Sequence, residues 1–182
     1  MTLSELLQRT QGLLPSQKRE IFVKLANQAQ KYFVSSWRKQ GWDGQQWKEP
    51  KRKSAKKQNN WTRKPTLIQR GTLRRAVSNM VSTANYNTDG VRMVVDSKYA
   101  AVHNYGGIIS KKATTRQVEF KVNMRSGKSR FAKKGKGNFA QDINFGAHTI
   151  TMPKRQFVGQ TNELTKKQER LIKQELNKIF KK

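Results

Sequence analysis

The chain has no cysteine, two histidines, four prolines and only 11 acidic residues among 182. Without cysteine there is no disulfide framework, no thiolate nucleophile and no cysteine-built zinc cluster. With His103 and His148 alone, and acids scattered along the chain, no convergent catalytic constellation can be read. No H-E-x-x-H, G-x-S-x-G or Walker pattern occurs, and "GKGNF" at 135–139, inside a basic tract, has the wrong spacing for a phosphate loop. No apolar run approaches the roughly 20 residues of a membrane span. The opening "MTLSELLQRTQGLLP" lacks a basic region before an apolar core, so no secretory signal is expected. These absences predict a protein made in the aqueous cytoplasm, with no cofactor and no membrane partner.

What the chain does have is positive charge. Lys and Arg number 39, for a formal +28, while hydrophobic residues make up 34% and aromatics 9%. That composition predicts a small core with polar extensions. Such a chain repels itself until a polyanion or an acidic surface neutralises it. The excess is concentrated in two tracts. Residues 48–75 hold eleven basic side chains against Glu49, and residues 110–137 hold ten against Glu119. Like-charge tracts outside periodic elements bind polyanions or remain solvated. Lys51, Arg52, Lys53, Lys56, Lys57, Arg63 and Lys64 in the first tract are expected to contact DNA or an acidic partner. So are Lys111, Lys112, Lys128, Arg130, Lys133, Lys134 and Lys136 in the second. No helix-turn-helix, zinc finger or RNA-recognition signature accompanies them, so any nucleic-acid binding is expected to ignore sequence. Trp42, Trp47 and Trp61 either stack on bases or, as is commoner, anchor a loop on the body or on a neighbouring subunit.

Periodicity divides the chain. Ile21, Leu25, Ala29, Phe33 and Trp37 recur every four residues over 16–37, predicting a helix capped by Ser16 and preceded by a short helix ending near Gly12. Residues 38–66 read as a basic loop arm. Residues 67–83 predict a helix with Leu73, Ala76, Val77 and Met80 or Val81 on one face, which Thr72 can cap. Asp89-Gly90 turns into a strand carrying Val91, Met93 and Val95. Residues 98–105 form a short helix ended by Gly106 and Gly107. Alternation at 117–123 and an extended stretch at 139–151 flank "MRSGKSRFAKKGKGN", giving a long basic hairpin over about 110–148. The final helix carries Leu164, Leu171, Ile172, Leu176, Ile179 and Phe180, with Thr161 as its cap. The expected class is α+β: one 182-residue domain in which an antiparallel sheet packs with a long N-terminal and an amphipathic C-terminal helix, carrying basic loop and hairpin arms.

"SKYAAVHNYGG" at 97–107 invites a catalytic reading of His103. A metal-dependent nuclease would need it beside Asp96 and His148, but such sites usually show denser ligands. The architectural reading is favoured. On a short helix Tyr99, Val102 and Tyr105 would face the body, and His103, one turn after Tyr99, would bond a neighbouring loop.

Four segments, in order, carry a family resemblance. "GWDGQQWKEPKRKSAKK" is similar to a "pdG..W..L" pattern followed by Lys and Arg. "TLIQRGTLRRAVSNMV" is like "iL..tG.L..si", "VRMVVDSKYAAVHNYGG" is like "v.vgs..YA.iHq.Gg", and "MPKRQFVGQT" is like "iPaRpFlG.s". The chain resembles the phage virion morphogenesis family, the neck or tail-completion proteins of Mu-like tailed phages. Two departures stand out. The 110–148 segment is longer than a minimal member needs, and Gln156 replaces the proline of R-P-F.

The resemblance implies a structural virion protein of the head–tail connector, without catalysis. It would sit at the head–tail junction of the virion after assembly in the host cytoplasm. It would form a homo-oligomeric ring, a hexamer being one candidate, around the genomic double-stranded DNA. Its other partners would be neighbouring connector, tail-terminator or head-closure proteins. The matching residues would then brace the body: Trp47, Gly71, Leu73, Tyr99, Ala100, His103, Gly106, Gly107, Pro153, Arg155 and Phe157. The charge alone supports a different reading, a free DNA-binding or packaging protein that ignores sequence.

Overall fold

A computed structural model describes residues 3–50, 63–87 and 89–181. Trp61 and five of the expected contact residues, Lys51, Arg52, Lys53, Lys56 and Lys57, lie outside them. The fold is α+β, and the described residues form two compact units. One runs up to Gly106 and resumes at Pro153; the other is 107–152. Among the described residues no helix is long and apolar enough to cross a membrane.

The spine of the first unit is α2 (Pro15–Lys39), preceded by α1 (Leu3–Arg9) and a 3-10 turn at Thr10–Gly12. The cap is Leu14, not Ser16. Pro15 starts the helix two residues earlier than a Ser16 cap would, because its φ is already helical and its missing N–H needs no partner there. The Gln17 side chain accepts from the Leu14 N–H at 3.0 Å. Gln40 ends α2 in the left-handed conformation, at φ 51°. Its side chain donates to the Trp37 carbonyl at 2.6 Å and accepts from the Thr66 N–H at 2.7 Å. The helix end thereby holds a segment that returns 26 residues later.

A tight hairpin follows, pairing β1 (Gly41–Trp42) with β2 (Gln45–Gln46). Asp43 and Gly44 both have positive φ, the demand of a two-residue hairpin turn. A Cβ at Gly41 would run into the Gln45 carbonyl. Next come α3 (Thr72–Asn79) and the strand pair β3 (Asn85–Tyr86) and β4 (Val91–Arg92). Gly71, at φ 70°, caps α3 in place of Thr72. The left-handed turn puts Thr72 inside the helix, and the Gly71 carbonyl accepts its first bond, from Arg75 N–H at 2.9 Å. Met93 and Val95 do not extend β4; they are half-buried against the core without pairing. Their alternation records packing, not a ladder.

α4 (Ala100–Tyr105) and α5 (Asn162–Phe180) complete this unit. Thr161 caps α5 as expected, accepting from the Leu164 N–H at 3.1 Å while donating to the Tyr32 hydroxyl at 3.0 Å. The core has two parts along α2. Ile21, Phe22 and Leu25 pack with Leu6, Leu13, Ile172 and Leu176. Ala29, Tyr32, Phe33 and Trp37 pack with Trp47, Leu73, Val77, Met80, Phe157 and Leu164. The start of α5 thus meets the end of α2, and the two helices run antiparallel.

The second unit holds the longer strands. β5 (Gly107–Lys111) pairs antiparallel with β9 (His148–Met152). β6 (Thr114–Val122) lies between β7 (Ser129–Phe131) and β8 (Phe139–Phe145). The extended stretch expected over 139–151 is therefore two strands with different partners, broken around Gly146. No residue of 107–152 is buried.

Ile172 is fully buried, so Ile172→Ala should remove about 2–5 kcal/mol of stability in urea denaturation. Lys173→Ala, on the exposed side, should stay within about 0.5 kcal/mol. Hydrogen bonds from Lys178 and Lys24, at 2.9 and 2.6 Å, hold the buried Glu175 carboxyl below its ordinary range. The fold favours the ionised form, so this contribution is complete above the ordinary carboxyl value and is lost as pH falls through the lowered folded value. Glu175→Gln should be less stable than wild type at pH 7, and thermal melts should show the gap closing on acidification.

Candidate functional site

The stretch 97–107 is joined to 153–159 by backbone groups. The Arg155 N–H donates to the His103 carbonyl at 2.7 Å. The Arg155 guanidinium donates through Nε to the Lys48 carbonyl at 2.8 Å, and Trp47 Nε1 donates to the Gln156 carbonyl at 2.8 Å. Phe157, 1% exposed, lies 5.1 Å from the Trp37 ring, and Trp47 lies 5.7 Å from the same ring on an edge-to-face approach. Trp47, Arg155, Phe157, Leu73 and Ala100 therefore converge on one end of α2. Gly71 and Gly106 serve by positive φ, 70° and 78°, and Gly107 opens β5. Pro153 is half-buried at the start of the connector.

The residue that locks this junction is Asn104, which the sequence reading passed over. It is 5% exposed. Its Oδ1 accepts from the N–H groups of Phe157 and Val158 at 2.9 and 3.0 Å, and its Nδ2 donates to the Val158 carbonyl at 3.1 Å. One side chain thus satisfies two donors and an acceptor of a segment with no strand partner. The signal was its spacing: Asn104 lies four residues after Ala100, on the same helix face. Tyr99 and Tyr105, expected to face the body, are 55% and 73% exposed. A six-residue helix has one inward face, and Ala100 and Asn104 occupy it.

His103 contributes its carbonyl to the brace, while its ring Nδ1 is buried without a hydrogen-bond partner. Burial first, and the Arg155 charge second, push its pKa below the ordinary imidazole value. Among the described residues no group of three or more His, Cys, Asp or Glu could hold a metal ion.

In the second unit the expected contact residues Lys111, Lys112, Lys128, Arg130, Lys133, Lys134 and Lys136 are all exposed. Arg63 and Lys64 are exposed in the first unit, where Lys64 Nζ donates to the Gln69 carbonyl at 3.0 Å. Two of the three tryptophans of the 38–66 stretch are described, and both are drawn inward: Trp47 is buried, and Trp42 lies 5.6 Å from the Tyr32 ring. They anchor this loop on the body.

The three-stranded sheet has two unlike faces. Register places Val118, Phe120, Val122, Phe131, Phe139, Ile143 and Phe145 on one side. The Phe120 ring lies 5.2 Å from Phe131 and 6.4 Å from Phe139. Phe131, Phe139 and Phe145 are nevertheless 74%, 52% and 45% exposed. Three phenylalanines on one open sheet face are more than a solvated arm needs. The even-numbered spacing of Phe139, Ile143 and Phe145 along β8 was the available signal, masked by the lysines just before the strand.

Asn104→Ala would leave the buried Phe157 N–H and the part-buried Val158 N–H unpaired and should lose about 1–3 kcal/mol in urea denaturation. His103→Phe keeps the carbonyl brace and should lose less. With a lowered folded pKa, His103 makes the unfolded chain bind protons first, so wild-type stability should fall as pH drops through the ordinary imidazole value of 6.5. Melting temperatures between pH 8 and pH 5 should show that slope in wild type and its reduction in His103→Phe.

No curated protein and no solved structure matches this chain. The model of the phage virion morphogenesis family matches residues 1–177 of the 182. The match takes in Trp47, the α3 start at Gly71, the His103–Asn104 helix and the Arg155–Phe157 segment, the pieces that meet at the end of α2. A role in building the phage particle follows, and the resemblance read from the four segments is borne out. By that continuous match the chain belongs to the phage virion morphogenesis family.

Proposed function

We propose that this protein is a structural subunit of the phage head–tail connector, a neck or tail-completion protein. It forms a closed homo-oligomeric ring around the DNA channel, joins head to tail and carries no catalytic activity. The observation that carries this reading is the 107–152 unit: a β arm with no buried residue, an open phenylalanine face and ten basic side chains. An isolated small sheet of this kind is marginal until its apolar face is covered. In a ring of identical subunits, heterologous contacts would cover it. The lysines would then be free for DNA phosphates or for acidic patches on tail-terminator or head-closure proteins.

Free, sequence-nonspecific DNA binding is the second reading, favoured by the clustered lysines. It predicts tight binding by the isolated monomer, weakening steeply with salt. Cryo-electron microscopy of purified particles decides between them. A ring of this chain at the head–tail junction is the expected result. Particles that lack the chain would overturn the connector reading and promote the other. Phe131→Ser with Phe139→Ser should leave the α-helical body folded by circular dichroism yet block incorporation into particles, because only exposed arm residues change.

A further inference from the structure

The face of β6 opposite the phenylalanines carries Glu119, whose side chain reaches the loop "KKGKG" at 133–137. Its Oε1 accepts from the Gly135 N–H at 2.8 Å. Its Oε2 accepts from the Gly137 N–H at 3.0 Å and from the Lys136 N–H at 3.1 Å. The Lys136 N–H is shared with the Lys133 carbonyl at 2.8 Å. Gly135 has φ 74°, and a Cβ on Gly137 would sit 2.7 Å from the Glu119 Cβ. Both glycines are therefore needed for three successive amides to converge on one anion, a backbone nest. The hydrogen bonds from Gly135 and Gly137 hold the carboxyl ionised, below its ordinary range.

The loop is held independently of that carboxylate. Ala132 N–H donates to the Glu119 carbonyl at 2.8 Å, and Asn138 N–H to the Phe120 carbonyl at 3.0 Å. The Asn138 side chain accepts from Val122 N–H at 2.7 Å and donates to the Val122 carbonyl at 2.9 Å. Its rim carries Lys133, Lys134 and Lys136, all exposed. Three cations and three amides around a single carboxylate leave the site suited to an anion of higher charge.

We propose that the amides of Gly135, Lys136 and Gly137 form a phosphate-binding site, in which Glu119 is an internal stand-in that an incoming phosphate displaces. Glu119 is at the surface, so its release returns it to water. A DNA backbone engages the nest and the rim lysines together, whereas inorganic phosphate engages the nest alone. The duplex therefore displaces Glu119 more readily. The carboxylate lowers affinity for stray anions without closing the site. Only the source of the phosphate rests on the proposed meeting of arm and DNA; the site itself does not.

The test uses the full chain, inorganic phosphate and a short DNA duplex, with amide NMR and salt-dependent binding. Glu119→Gln and Glu119→Asp open the nest, the second without changing net charge. Asp142→Asn removes one charge from the same sheet face, opposite Gln117. Saturable phosphate shifts of the Gly135, Lys136 and Gly137 amides are expected in both Glu119 variants. In wild type these shifts are expected with duplex. Glu119→Gln should bind duplex several-fold tighter than Asp142→Asn, with a log–log salt slope steeper than wild type by about one. Equal gains in Glu119→Gln and Asp142→Asn, or no amide shifts in either Glu119 variant, overturn the proposal. Loss of the β6–β8 strand signals in both Glu119 variants also overturns it, making Glu119 a structural staple. Shifts with phosphate but none with duplex keep the site and overturn the meeting of arm and DNA instead.

Discussion

The packing of Trp37 against Trp47 and Phe157 is the contact on which the body depends. It joins the end of α2, the loop ten residues on and a connector 120 positions away in the chain. Large aromatic rings remove much apolar surface from water in a chain whose apolar content is low. The polar atoms drawn in with them are matched locally. The Trp47 indole finds the Gln156 carbonyl, Arg155 finds Lys48 and His103, and Asn104 takes the Phe157 and Val158 amides. Remove the rings and these bonds lose the dry setting that gives them value.

The two units solve opposite problems. The body hides apolar residues along both halves of α2 and can fold as an ordinary core. The arm hides none and relies on cross-strand bonds and on small local devices such as Glu119 in its loop. Its ten basic side chains against Glu119 and Asp142 oppose association with a like arm at low salt. An apolar face beside dense positive charge asks for partners that supply both a surface and negative charge. In the proposed ring, a different surface of the neighbouring subunit would cover the apolar face, and DNA or an acidic virion protein would meet the charge.

Much of the body was legible. The four-residue stripe of α2, the Thr161 cap of α5 and the ordered segments through "MPKRQFVGQT" all read through to structure. Where reading and structure part, a backbone effect wins. Pro15 outranks Ser16 at one helix start, and left-handed Gly71 outranks Thr72 at another. Tyr99 and Tyr105 looked like core because aromatics usually are, yet a single helical turn had room for only Ala100 and Asn104.

The sequence by itself determined the positive charge, its clustering, the helices and the family, because those follow from composition, period and ordered motifs along the chain. Only the tertiary structure decided which polar residue is buried at the junction, which strand partners which, and which anion fills the 133–137 loop. These depend on groups distant in sequence meeting at hydrogen-bond range. Asn104 looks like any surface asparagine until the connector crosses it, and Glu119 like any solvated acid until three amides turn toward it.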